Sequence, residues 1–256
     1  MSREIMTFYR ADLHIHTALS PCAGEEMTPP RIVAAALMAG LQLIAVTDHN
    51  SAGNIAAVEE AARGTGLIVL AGLEVQTRED VHLVCLFNSA AEALEWQSIV
   101  YQRLPAEENR EEYFGCQLLL DAAGREIGRE KRLLLTSVDM GLEEVVREVS
   151  GRGGVCIPAH VDRPSYGLLG HLGLIPEGLP FAAMELGLLY PDEALKQFPT
   201  LAGWPLTVAS DAHYLKDIGR RVTIFDFVEE INLKSLHQSL RRQQFKVVVG
   251  QRDNFR

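Results

Sequence analysis

Asp12-Leu13-His14-Ile15-His16-Thr17 is the stretch from which the rest of the chain is best read. Leu13 and Ile15 alternate with His14 and His16, the period of two of a β-strand, which turns both imidazoles to one face. Two histidines so placed can grip a single metal ion. The same pattern also fits a strand whose histidines are merely exposed or satisfied in the core. Recurrence separates the two readings, because similar residues return later in the chain, each beside an apolar run.

Outward from this stretch, the loop ALSPCAGEEM leads to a helix start. Thr28 is in the N-cap position, Pro29 and Pro30 suit the first turn, and Gly40 stops the helix. The apolar run Leu41 to Thr47 reads as a buried strand ending in Asp48-His49-Asn50. A second helix, Ile55 to Arg63, closes at Gly64, and the strand Leu67 to Gly72 runs into Leu73-Glu74-Val75. These are successive βα units, the pattern of a parallel sheet or barrel.

His82 opens the run His82 to Phe87, and the pattern is helical from Ala90 to about Leu104. Residues from about 105 to 140 break the rhythm with PAEENREE, a hairpin turning near Ala123-Gly124, and a further strand in KRLLL. This segment reads as an insertion, either a lid or an oligomer contact, in a single domain over 1–256. The helix LEEVVREVSGRGG precedes the strand Val155 to Pro158, which ends at Ala159-His160. Ala182 to Leu186 is a short strand, with a helix near Pro191. Leu206 to Ser210 then ends at Asp211-Ala212-His213. A strand (VTIFDFV), an amphipathic helix (INLKSLHQSLRRQ) and a last strand (KVVVG) follow.

A chain of 256 residues can bury a sizeable core. No apolar run approaches the ~20 residues of a membrane span. The opening MSREIMTFYR lacks the apolar core of a secretory signal, so a cytoplasmic location is expected. Cys85, Cys116 and Cys156 lie in apolar runs and read as buried free thiols, whereas Cys22 lies in a polar loop. The net charge of −10 argues against an extended nucleic-acid surface. Divalent cations held by Asp, Glu and His would still make one pocket electropositive, open to a small phosphorylated substrate or a short nucleic-acid end.

His14, His16, His49, Glu74, His160, Asp211 and His213 all lie in or just past the C-terminal end of an expected strand, and His82, which opens its run, is an eighth potential ligand. In a β/α barrel these ends open onto one face. Six of the eight histidines fall in the set, a concentration that packing or solubility does not explain. Imidazole and carboxylate without clustered thiolate suit Zn, Mn or Fe in an open catalytic site, and the ligand number suits two or three ions bridged by Glu74. Such sites generate hydroxide near neutral pH and clamp phosphoryl oxygens.

The ordered series DLHIHT, TDHN, GLEV, VHLV, PAHVDRP and ASDAH resembles the motifs of the PHP (polymerase and histidinol phosphatase) family, from about Tyr9 to Arg221. The resemblance implies a distorted (β/α)7, TIM-like barrel with a trinuclear metal centre and phosphoesterase activity, by attack of metal-bound hydroxide on phosphorus. It implies a first ion on His14, His16, Glu74 and Asp211, and a second on Glu74, His82 and His160. A third would sit on His49 and His213 plus a residue of the loop after the histidine pair. His14, His16, Glu74, Asp211 and His213 would then be the catalytic set. Where relatives commonly offer Asp or His in that loop, this chain has Ser20-Pro21-Cys22-Ala23-Gly24-Glu25-Glu26. Cys22 stands at about the right distance, Glu25 or Glu26 are substitutes, and an empty third site is the remaining option.

Asp12 and Asp48 adjoin ligand histidines and are candidates to orient them, with strand-end hydrogen bonding as the alternative role. Arg163 is a candidate phosphate ligand, with a surface ion pair as its plainer role. His171 and His237 read as ordinary structural histidines, and Gly64-Thr65-Gly66 and Gly151 to Gly154 as helix stops. Two rival functions remain: an amidohydrolase or deaminase, which also opens with His-x-His, and a non-catalytic metal-stabilised regulatory or binding module.

Overall fold

The computed structural model describes residues 7–227 and 231–248. Its centre is a curled mixed sheet. The strands are β1 (Thr7–Ile15), β2 (Leu43–Val46), β3 (Ile68–Gln76), β4 (His82–Phe87), β5 (Leu118–Leu120), β6 (Glu126–Arg129), β7 (Val155–Pro158), β8 (Met184–Leu186), β9 (Leu206–Val208), β10 (Val222–Phe227) and β11 (Phe245–Val248). The main sheet runs β11-β10-β1-β2-β3-β4-β7, with β5-β6 and β8-β9 as separate pairs. β8 is tied to the β7 edge by Ala182 N–H to Cys156 O and Val161 N–H to Glu185 O. On the other side, the segment after β9 reaches β1 through a parallel bridge between Ala212 and Ile15. The sheet therefore curls toward a barrel of seven strands, with β10 and β11 added outside β1. The distorted barrel expected from the sequence is present.

One departure matters for the site. β1, β2 and β3 are parallel, but β4 runs antiparallel to both β3 and β7. The connection from Gln76 to His82 is a hairpin, not a helical crossover. The start of β4 and the end of β3 thus lie at the same mouth, and Gln76 pairs with His82.

Two apolar layers hold this arrangement. Leu43, Ala45, Val84, Leu86 and Ile157 fill the inner face, closed by Phe225, Phe227 and the helix Leu233–Arg242. The alternate residues Ile44, Val46, Leu73 and Cys85 face outward onto helices Pro29–Met38, Ile55–Ala62, Ala90–Arg103 and Leu142–Gly151, where Trp96 and Val145 are fully buried. This alternation is the period-two strand rule, and it leaves the strand ends free for polar work. The helix termini match the sequence signals: Thr28 precedes Pro29, and Gly40 and Gly64 take φ of +69° and +79°, which non-glycine residues resist. No described helix is long and apolar enough to cross a membrane.

Residues 105–140 hold a one-turn helix (Glu111–Phe114) and the β5-β6 hairpin, whose turn includes Gly124 at φ +77°. The further strand expected at 131–135 is absent. Its backbone is instead taken up by side chains and single contacts: Gln117 accepts from Leu134 N–H and donates to Glu130 and Arg132 carbonyls, and Arg132 makes an isolated bridge to Glu108. Buried Asn54 bonds both Leu118 O and Leu120 N–H, and Asn50 donates to Leu134 and Thr136 carbonyls. The segment is strapped to the barrel mouth by these amides. Cys85 and Cys156 are buried and face each other across β4 and β7, but Cys116, expected to be buried, is only half-buried beside Glu111 and Arg129. Of the C-terminal strands, Val228, Val249 and Gly250 lie outside the described residues, as do residues 1–6.

Candidate metal centre

The mouth of the barrel gathers all eight expected ligands. His14 Nε2 lies 3.3 Å from Glu74 Oε1 and 3.3 Å from Asp211 Oδ1. His16 Nε2 lies 3.1 Å from Asp211 Oδ1 and 3.5 Å from Glu74 Oε2. Glu74 also meets His49 Nδ1 at 2.9 Å, His82 Nδ1 at 2.9 Å and His160 Nε2 at 3.2 Å. The ring of His213 stacks on that of His16 at 4.2 Å. Glu74 is therefore the hub, reached by five imidazoles. His82 arrives there because β4 reverses direction at its own first residue.

Neighbouring groups fix which ring nitrogen faces inward. Glu185 Oε1 accepts from His14 Nδ1 at 3.0 Å. Ser20 Oγ donates its one proton to Asp48 Oδ1 at 2.7 Å, so at 2.9 Å from His16 Nδ1 it acts as an acceptor. With both Nδ1 atoms acting as donors, the two Nε2 atoms present lone pairs toward one another at 3.2 Å and toward Asp211. His213 Nδ1 likewise donates to the Asp211 carbonyl at 2.8 Å. Acceptors packed against acceptors are repulsive unless a proton or a cation lies between them. His49 Nδ1 and Glu74 Oε2, although 2.9 Å apart, are not aligned as a hydrogen bond, and both are buried without a partner, as is His160 Nδ1. The unpartnered His49 Nδ1 and Glu74 Oε2, facing each other at 2.9 Å, fit a place for a divalent ion.

The electrostatics agree. Burial opposes charge on His14 and His49, yet Glu185, Glu74 and Asp211 carry His14 well above the usual imidazole range, and Glu74 with Cys22 does the same for His49. Burial pushes Glu74 up, but His82, His14 and His49 hold it well below the normal carboxylate range. His16 goes the other way: burial lowers it, and positive His213 and His49 lower it further. Metal binding at these imidazoles would be coupled to the release of protons.

The centre opens into a cavity of about 290 Å³ lined by Cys22, Gln76, Leu135, Arg163 and Tyr166 together with the ligands. Arg163 donates through Nη1 to Asp211 Oδ2 at 2.6 Å and is 33 % exposed, so it pairs with a ligand at the rim and is no remote surface charge. Gly187 makes room for it, since a Cβ there would come within 2.8 Å of Arg163 Nε. His160, Tyr166 and Asp211 adopt φ of +34°, +60° and +50°, a concentration of strained backbone typical of working sites. Burial raises the Cys22 thiol, but hydrogen bonds from His213 and His49 outweigh this and bring it down to about 7.

Some expectations need correction and some residues were not foreseen. Asp12 takes the alternative role, strand-end hydrogen bonding. It accepts from Ser210 N–H and Gly219 N–H, both at 2.9 Å, and ties the β9 loop to β1. Asp48 does act on a ligand, through Ser20. His171 is structural in a specific way: its Nε2 accepts from Tyr166 N–H, while the Tyr166 ring stacks on His82 at 4.5 Å. Glu185, Ser20, Tyr166 and Gln76 were not singled out. The sequence signal for Glu185 was available, as a lone carboxylate in the apolar stretch AAMELGLL.

A distorted barrel whose mouth gathers imidazoles and carboxylates around a central glutamate defines a protein equipped with groups that could hold metal ions. The chain belongs to the PHP family: the PHP domain model matches residues 12–166 and the PHP-associated model residues 196–245. A search of curated proteins finds no match. Among solved structures, the chain is similar to the lesion-specific endonuclease PfuEndoQ from Pyrococcus furiosus (TM-score 0.73, 18 % identity, 94 % of this chain and 58 % of that one). It is also similar to Endonuclease Q in complex with a 27-mer duplex bearing an abasic lesion (0.71, 17 %, 92 % and 57 %). An amidohydrolase from Chromobacterium violaceum matches at 0.57 with 20 % identity, over 93 % of this chain and 97 % of that one. The chain spans just under three fifths of the two endonuclease chains, and at these identities the likeness concerns the fold.

Proposed function

We propose that this chain is a metal-dependent phosphoesterase acting on a small phosphometabolite, a nucleotide or a short nucleic-acid end. The observation that carries the reading is the convergence of the His14 and His16 Nε2 lone pairs on Glu74 and Asp211, with Arg163 paired to Asp211 at the cavity rim. His14, His16, Glu74 and Asp211 would hold one ion, Glu74, His82 and His160 a second, and His49 with His213 part of a third. Divalent ions so held supply a nucleophile at neutral pH and neutralise charge on phosphoryl oxygens.

The remaining roles belong to the chain itself. Glu185 and Ser20, by accepting from Nδ1 of His14 and His16, turn the Nε2 of each ring toward the centre. The Arg163 guanidinium donates to Asp211, and its N–H fork suits a phosphate oxygen. Leu135 and Tyr166 give the cavity an apolar and aromatic wall. A nucleic-acid end is supported by the Endonuclease Q complex with damaged duplex, and the net charge of −10 favours an end or small ester over a long backbone track.

The test is elemental analysis of protein purified with Zn, Mn or Fe, joined to a panel of phosphomonoesters, phosphodiesters and short oligonucleotides. Phosphate release that disappears with bound metal in the variant His14→Ala with His16→Ala is the expected result. Full activity in that folded variant would refute the proposal. Ammonia release instead of phosphate would favour the amidohydrolase reading, against which the cavity lining contains no lysine.

A further inference from the structure

Residues 134–138, the return arm of the 105–140 segment, run directly against the centre. Asn50, the neighbour of His49, donates to the Leu134 and Thr136 carbonyls at 2.9 Å each, and Val138 N–H donates to the Gln76 carbonyl at 2.8 Å. Between these ties lies a chain of side chains that ends on a candidate ligand. The Ser137 hydroxyl donates to Asp80 Oδ1, in the turn between β3 and β4, so its oxygen is left to accept from Gln76 Nε2 at 3.0 Å. Gln76 Nε2 gives its other proton to Asp80 Oδ1 at 2.9 Å. The hydrogen bonds from Ser137 and Gln76 hold the Asp80 carboxyl below its usual range, which keeps it an acceptor.

Two acceptors on the amide nitrogen leave Gln76 a single orientation, because the reverse one would set Oε1 against a carboxylate. Oε1 therefore points the other way, to His82 Nε2 at 3.4 Å. His82 is buried and constrained elsewhere too. Its N–H donates to the Tyr166 carbonyl at 3.0 Å, and its ring lies on the Tyr166 ring at 4.5 Å with 16° between the planes. Tyr166 thus sets the plane of the imidazole, and Gln76 sets its direction within that plane. With the ring proton on Nε2, Nδ1 turns a lone pair to Glu74 Oε1 at 2.9 Å, in a group with His49 whose donor atoms lie within 4.8 Å of one another. We propose that Gln76 is a positioning residue that selects Nδ1 of His82 as its metal-binding nitrogen, and that Ser137 and Asp80 hold Gln76 to that task. The 105–140 segment then supplies part of the support of the centre. This rests on the metal-dependent reading above and adds to it the residues that aim one ligand.

The test uses the full chain loaded with zinc, a diamagnetic probe, and carrying nitrogen-15 in its histidines. Ring-nitrogen shifts should place the His82 proton on Nε2 and show Nδ1 ligated. Gln76→Met, similar in length but without the acceptor, should weaken one zinc roughly 10–100-fold in chelator competition and leave any others as in the wild type. Ser137→Ala should weaken the same zinc less. Added to Gln76→Met it should cost nothing further, because Ser137 acts through Gln76. A melt of metal-free Gln76→Met close to that of the wild type separates lost orientation from lost fold, and if the variant does not fold the wild-type shifts decide alone. A proton on Nδ1 of His82, a folded Gln76→Met that keeps every zinc at wild-type affinity, or additive losses in the double variant would overturn the proposal. A wild type that binds no metal overturns the metal-dependent reading with it. The expected His82 shifts without phosphate release from any ester overturn the phosphoesterase reading alone.

Discussion

Glu185 Oε1 lies 3.0 Å from His14 Nδ1, and that contact decides which nitrogen of the imidazole faces the metal centre. The same oxygen lies 3.2 Å from the backbone N–H of His160, so one buried carboxylate sets a ligand from β1 and the chain beside a ligand after β7. In Glu185→Ala, His14 is free to take the other tautomer or turn. Metal affinity should fall roughly 10–100-fold, measured by chelator competition. Glu185→Gln, which keeps an acceptor oxygen but loses the charge, should fall less.

Arg163 makes a second prediction. Replacing it by alanine removes a charge-assisted contact worth roughly 1.5–3 kcal/mol to a bound phosphoryl group. The KM for a phosphoester should rise roughly tenfold or more, and inhibition by inorganic phosphate should weaken in parallel. Arg163→Lys should recover only part of this, because a point charge cannot reproduce the planar fork. Unchanged phosphate inhibition in Arg163→Ala would assign the arginine to holding Asp211 alone.

The thiol of Cys22 should betray its neighbours through pH. In metal-stripped protein His213 and His49 bring it from the usual 9.0 to about 7. The thiolate is the reactive form, so alkylation by iodoacetamide should accelerate as pH rises and reach half its maximum near pH 7. An ordinary thiol would still be almost wholly protonated there. Mass spectrometry of the Cys22 peptide across pH reads the midpoint directly, and metal loading should suppress the reaction.

Gly115 offers a prediction outside the centre. It has φ of +97° and no room for a Cβ against Pro21. Gly115→Ala should destabilise the fold by about 1–3 kcal/mol, seen as a lower melting temperature. Gly128→Ala, in β6 with its nearest neighbour at 3.7 Å, is the control and should be nearly neutral.

Much of the site was legible because its ligands sit beside apolar runs, and a run of Leu, Ile and Val that stops at a histidine is a strong local signal. Strand direction was not legible. The run from His82 to Phe87 looks the same whether it runs with β3 or against it, and only the short Thr77 to Val81 turn decides. The strand expected at 131–135 failed for a different reason. Gln117, Asn50 and Asn54 satisfy that segment and its surroundings with side-chain amides, and such pairings leave no periodicity. Asp12 shares a strand parity with His14, but the register shift between Asp12 and Ile15 and the nearby Ser210 and Gly219 amides give it other partners. Glu185 escaped because its partner, His14, is 171 residues away.

The reversal of β4 also bears on how the protein assembles. Glu74 and His82 belong to one hairpin, eight residues apart, while His14 and Asp211 come from opposite ends of the chain. Local contacts close at little entropic cost and form early, whereas contacts across nearly two hundred residues wait for the whole topology. The hub carboxylate can therefore acquire its first imidazole partner while most of the chain is still unfolded, and an ion captured there would serve as a nucleus around which the later strands are drawn into place.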